Sequence, residues 1–256
     1  MMRTAVPWLA ALAATATAQP DLQGMWSDPP ETIADSACMF ACTDVFAERF
    51  ATLLDEPAND GRRAFELLLE AQAHERAAYL MPRLTDAARA TVNLEPADDP
   101  SFLYCEPPGF ARQIFVPHQL RIVRSADRVE MHYAEWDARR TVYLDGVSSA
   151  RDERPSRMGF SVGRYEGDSL VIETSGIEPA IAIWMGRHSE QLRVVERYTR
   201  SADGTRLLLT ATFEDPWALR EPVVYKKIWG WAPDQEIFPY EDCERPTEFK
   251  RAGSVP

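Results

Sequence analysis

The chain has 256 residues, a formal net charge of −12 and 45% hydrophobic residues, enough to bury a core of its own. The acidic balance and the lack of a Lys/Arg block exclude nucleic acid and anionic membrane surfaces as expected partners. Neither feature points to a substrate.

Arg3, an apolar run over residues 5–14 and Ala16-Thr17-Ala18 form the pattern of a secretory leader cleaved after Ala18. The run is too short to span a bilayer, so the expected product is periplasmic or secreted, with no membrane span. Without Arg3 the formal charge becomes −13. Three segments are expected: the leader over 1–18, an extended lead-in plus helical hairpin over 19–100, and a β domain over 101–256.

Four cysteines, Cys38, Cys42, Cys105 and Cys243, fit an oxidising compartment. A Cys105–Cys243 bridge would staple the two margins of the β domain and is the expected pairing, worth about 2–4 kcal/mol. Cys38 and Cys42 share a face if helical, where a bridge is strained; in a non-helical turn they form a local staple. A lone C-x-x-x-C without a second thiol pair or nearby histidine is a poor zinc site.

Residues 21–30 read as an extended lead-in in which Leu22, Met25 and Trp26 cover an end of the core. Phe46, Phe50, Leu53 and Leu54, then Phe65, Leu68 and Leu69, recur at helical spacing on either side of Pro57-Ala58-Asn59-Asp60-Gly61. The expectation is an αα-hairpin over about residues 35–80 and a shorter helix over 85–92. His74 falls on a helix surface.

From Cys105 the period drops to two. Strands are expected over 114–116, 120–124, 129–135, 139–144, 159–165, 169–174, 191–200, 206–215 and 223–231. Turns are signalled by Ser125-Ala126-Asp127, Trp136-Asp137-Ala138, Glu166-Gly167-Asp168 and Ala202-Asp203-Gly204. Serial hairpins of this kind predict a mainly β fold: an antiparallel up-and-down β-barrel, lipocalin-like in shape, with an N-terminal helical segment.

Several runs resemble a family of exported bacterial proteins without assigned function. They are Cys105-Glu106-Pro107-Pro108-Gly109-Phe110-Ala111-Arg112, Glu135 with residues 140–146, residues 159–174, His188-Ser189-Glu190, Val195-Glu196-Arg197-Tyr198, Glu214-Asp215-Pro216 and Tyr240-Glu241-Asp242-Cys243. The resemblance covers about residues 82–245 and implies export and fold, not a reaction. The chain departs from the pattern at Val147-Ser148-Ser149-Ala150, where Arg followed by His-Pro is expected, and at Tyr165 in place of Trp.

Strand alternation selects the candidate site. Val129, Met131 and Tyr133 share a face that extends to Glu135, with Glu130 and His132 opposite. Val142 and Leu144 share theirs with Arg140, and Leu192 and Val194 share theirs with Glu190, Glu196 and Tyr198. Leu207, Leu209, Ala211 and Phe213 point inward, with Asp215 at the end of that face. An inward carboxylate costs several kcal/mol unless paired, so Glu135, Arg140 and Glu196 are expected to converge, with His188 leaning over the barrel mouth. The competing expectation is a buried Glu–Arg pair that merely fixes register.

As a functional cluster, a glutamate works as general acid or base, Arg140 holds an anionic or carbonyl oxygen, and Tyr133, Glu190, Tyr198 and Trp184 contact the ligand. Aromatics near strand ends, among them Trp217, Trp229, Trp231, Phe238 and Tyr240, suit a mouth for an apolar guest. His188, Ser189 and Glu190 are sequence neighbours and do not make a triad; His118 reads as a strand-end residue.

Neither spaced histidines nor a glycine-rich phosphate loop is present, so no metal or nucleotide cofactor is expected. The expected partner is a small apolar or amphipathic molecule. Turnover of that ligand, simple carriage, and a filled barrel serving assembly all remain open, as does the oligomeric state.

Overall fold

A computed structural model describes residues 20–28, 38, 41–92, 107–144, 154–182 and 185–237. Nine strands close into a barrel: β1 (Gly24–Ser27), β2 (Leu120–Arg124), β3 (Arg128–Tyr133), β4 (Arg139–Leu144), β5 (Phe160–Glu166), β6 (Ser169–Ser175), β9 (Arg193–Arg200), β10 (Arg206–Glu214) and β11 (Val223–Trp231). Around the barrel they run β1-β11-β10-β9-β6-β5-β4-β3-β2. A separate short ribbon pairs β7 (Ile181–Ala182) with β8 (Gly186–Arg187).

Two features depart from a simple meander. The lead-in is not an end cover: Gly24–Ser27 is itself a barrel strand, pairing Trp26 with Leu120 on β2 and with Trp231 on β11. Gly24 (φ +122°) makes this closure possible, because a Cβ there would lie 2.2 Å from the Trp231 ring. In addition, β4 and β5 are parallel, so the barrel is mixed rather than up-and-down. Their connection, residues 145–159, is long enough for the crossover that parallel neighbours require.

The expected strand over 114–116 is also absent. Gly109 (φ +90°) turns the chain into helix α4 (Phe110–Gln113), and Phe110, Ala111, Ile114, Phe115 and Val116 are all buried. A segment that plugs the barrel end is buried on every side, so its apolar run mimics a strand without alternating.

The expected αα-hairpin is present as α1 (Asp44–Asp55) and α2 (Ala64–Glu75), with a short α3 at Asp86–Arg89. Thr43 caps α1 through its hydroxyl, which accepts from the Phe46 N–H at 3.2 Å. The helices bury Cys42, Phe46, Phe50, Leu53, Leu67 and Ala71 in a cluster separate from the barrel core. After Glu75 a wider turn over Arg76–Leu80 delivers Leu80 and then Leu84 into that core. No helix among the described residues is long and apolar enough to cross a membrane.

Main-chain hydrogen bonds clamp the hairpin to β11. Cys42 exchanges two with Lys226, at 3.0 and 2.7 Å, and Ile228 N–H donates to the Cys38 carbonyl at 2.9 Å. A disulfide links Cys38 to Cys42 just before α1, the local staple that a non-helical turn permits. The Cys105–Cys243 pairing lies outside the described residues, as do the leader, Trp184, Phe238 and Tyr240.

Candidate functional site

The inward face of the barrel carries a buried ion pair. Arg140 on β4 reaches across two intervening strands to Glu196 on β9, donating from Nη1 to Oε1 at 3.0 Å and from Nη2 to Oε2 at 2.5 Å. It also donates from Nε to Ser161 Oγ (2.8 Å) on β5 and from Nη2 to Thr174 Oγ1 (2.7 Å) on β6. Four adjacent strands therefore each supply one side chain. Tyr198 O–H donates to Glu196 Oε1 at 2.8 Å, and the Phe110 ring covers the guanidinium at 4.7 Å.

Both charges are sealed, with side-chain exposures of 1% for Arg140 and 0% for Glu196. Burial works against the charged guanidinium, yet the adjacent carboxylate outweighs it and raises the Arg140 pKa. Burial and then the Glu196 charge hold the Tyr198 phenol well above its usual value, and burial raises Tyr133. Neither charge lines any described cavity.

Glu135 is not part of this cluster. Strand β3 ends at Tyr133, and residues 134–138 form a tight turn with Trp136 and Asp137 at positive φ, so the alternation that aimed Glu135 inward has already stopped. Glu190 departs for the same reason: β9 begins at Arg193, and Glu190 sits exposed in the preceding turn. Tyr133 and Tyr198 do point inward, but into the sealed core.

His188 is buried at a barrel end, not open at a mouth. Its Nδ1 lies 3.0 Å from the Ser189 carbonyl, Nε2 has no hydrogen-bond partner, and burial lowers its pKa despite that contact and the Asp215 charge. Asp215 is occupied as an anchor, accepting from Ser189 N (2.7 Å), Ser189 Oγ (2.8 Å), Trp217 N (3.0 Å) and Ala218 N (3.4 Å). An open cleft of about 460 Å³ over residues 214–222 holds no other buried ionisable group.

Open space is found instead between α2 and the plugged end of the barrel. This cavity, about 410 Å³, has apolar walls from Ala41, Leu80, Phe115, Val116, Pro117 and Tyr225. Gln72, Glu75, Arg76, Arg112 and Glu135 supply polar groups. That size and mixture suit a small-molecule site. Glu75 is largely buried, which raises its pKa even though its Oε1 accepts the Thr43 N–H at 2.9 Å.

The cavity rim gathers unusual backbone and polar groups. The three non-glycine residues with positive φ among the described residues, His118, Trp136 and Asp137, follow closely in sequence on two of its lining residues, Pro117 and Glu135. His118 Nε2 is 3.2 Å from Glu135 Oε2, and the His118 N–H donates to Asp28 Oδ1 at 3.0 Å. Gln113 fixes the turn by donating to the Glu135 carbonyl at 3.0 Å, while its own buried Oε1 has no hydrogen-bond partner.

Behind this wall lies a group the sequence reasoning did not single out. Lys227 shares the inward face of β11 with Val223, Tyr225 and Trp229 and is 1% exposed. Its Nζ donates to the Val116 carbonyl and sits 4.3 Å from the centre of the Trp229 ring. Burial lowers its pKa to about 7, opposed by the charges of Asp28 and Glu135. The parity already applied to the other strands would have found it.

No family model, curated protein or solved structure matches the chain.

Proposed function

We propose that the chain is an exported carrier whose ligand, a small amphipathic molecule, lodges under the helical hairpin and not at the Arg140–Glu196 centre. The cavity beside α2 carries this reading: it is a half-open space of about 410 Å³ with apolar walls and ionisable groups along its lining. The Arg140–Glu196 pair has its hydrogen bonds satisfied within the core and offers nothing to a guest, which favours a role in fixing strand register. The Cys38–Cys42 bridge and the leader-like start support export.

Acid–base turnover of the bound molecule is a second reading, favoured by the His118–Glu135 contact of 3.2 Å at the rim. Thermal-shift titration with medium-chain alcohols and acids tests the carrier reading. A ligand at 100 times its Kd should add about 2.7 kcal/mol of stability. Leu80→Trp, which fills the cavity, should abolish the shift; equal shifts in Leu80→Trp and the parent overturn the assignment. Consumption of the ligand, followed by chromatography and lost on Glu135→Gln, would replace carriage with turnover.

A further inference from the structure

We propose that Lys227 is a carbonyl-capturing amine, taking an aldehyde or ketone that arrives through the cavity beside α2 and holding it as an imine. The inference rests on the reading that this cavity admits small molecules. Of the chain's 28 basic side chains only three are lysine, Lys226, Lys227 and Lys250. An exposed partner engages Lys226, which pairs with Asp44, whereas Lys227 faces the barrel interior with no carboxylate in salt-bridge contact among the described residues. Arginine, the usual cation of this chain, cannot lose its proton and form an imine; lysine can.

The position supplies what an amine nucleophile needs. Nζ contacts the Val116 carbonyl and the Trp229 indole face, and the desolvation that lowers its pKa to about 7 leaves a large neutral fraction at ordinary pH. The charged groups acting on it are Asp28, at the end of β1, and Glu135, in the turn after β3, with His118 bonded to both. Two of its neighbours also line the cavity: Val116, whose carbonyl accepts from Nζ, and Glu135, whose charge acts on it. Residues 114–119 have no regular secondary structure and include the positive-φ His118; the proposal requires that the guest displace Val116, which frees the amine.

In the reaction the Nζ lone pair adds to the carbonyl carbon, the C=O π bond breaks, and a proton passes from nitrogen to oxygen to give a carbinolamine. Protonation of that hydroxyl expels water as the C=N bond forms, and loss of the remaining N–H proton leaves the neutral imine. The net change is amine plus carbonyl to imine plus water. Glu135, with His118 beside it at the rim, is placed to give and recover the proton.

The full chain is treated with hexanal and cyanoborohydride and its lysines are mapped by mass spectrometry, while 1-hexanol, which cannot form an imine, is titrated by thermal shift. The expected result is a hexyl group on Lys227 at least about tenfold faster than on Lys226 or Lys250, slowed by hexanol and rising with pH through about 7. Labelling of Lys226 and Lys250 with Lys227 untouched overturns the proposal. If hexanol stabilises the protein while Lys227 stays unlabelled, the amine assignment fails and the cavity reading stands. If Lys227 is labelled but hexanol neither binds nor competes, the route through the cavity fails. Lys227→Arg, which keeps the charge, should lose the label; a label that persists on the same peptide also overturns the assignment.

Discussion

Arg140 and Glu196 lie 56 residues apart in sequence and meet edge to edge inside the barrel, where the guanidinium spans the inward faces of β5 and β6. Removing one partner strands the other charge in the core, so Glu196→Gln or Arg140→Met should cost about 3–5 kcal/mol in urea unfolding. The double variant Arg140→Met/Glu196→Leu, which leaves no unpaired charge, should cost clearly less than the sum. Additive losses would show that the two side chains do not act as a pair.

Lys227 should make stability rise with pH. Below about 7 the folded and unfolded chains both hold its proton; between about 7 and the unfolded value of 10.5 the unfolded chain binds more protons, and folding gains. The buried Tyr198 and Tyr225 phenols, both raised well above 10.0, oppose the trend from pH 10 upward, because there the unfolded chain loses protons that the folded one keeps. The window is therefore pH 7 to 9.5, with a gain of about 3 kcal/mol. Urea midpoints across that range check it, and Lys227→Met should flatten the curve.

Asp215 accepts from both polar hydrogens of Ser189 and from two main-chain amides that follow it. Asp215→Asn replaces one acceptor oxygen with an NH₂ facing N–H donors. The expected loss is roughly 2–4 kcal/mol, with faster hydrogen exchange at Ser189 and Trp217. Ser189→Ala should cost about 1 kcal/mol, since the main-chain contact survives.

The Cys38–Cys42 bridge spans only four residues of sequence, so reducing it should lower stability by about 2 kcal/mol on the chain-entropy account. Loss should concentrate where the hairpin is clamped to β11. Hydrogen exchange at Lys226 and Ile228, whose amides bond to Cys42 and Cys38, checks this; unchanged protection there would contradict it.

Much of the barrel was legible because its strands alternate. Strands at 120–124, 139–144 and 223–231 stand where the period of two places them, and Arg140, Glu196, Tyr133 and Tyr198 face inward as their parity requires. The errors fall where alternation stops. Parity extended past the end of its strand aims Glu135 and Glu190 inward, where the chain has already turned, and the segment 114–116 mimics a strand because its residues are all buried.

Alternation is a local property: it depends on neighbouring residues in one strand, and the amino-acid order alone decides it. What the order does not contain is which strand lies beside which. Trp26 pairing with Trp231, the parallel contact of β4 with β5, and the meeting of α2 with the barrel plug all join segments distant along the chain. Those contacts turned an expected lead-in into a barrel strand, filled the centre with an ion pair, and moved the open space to one end, because only closure of the sheet determines which inward side chains are left without room.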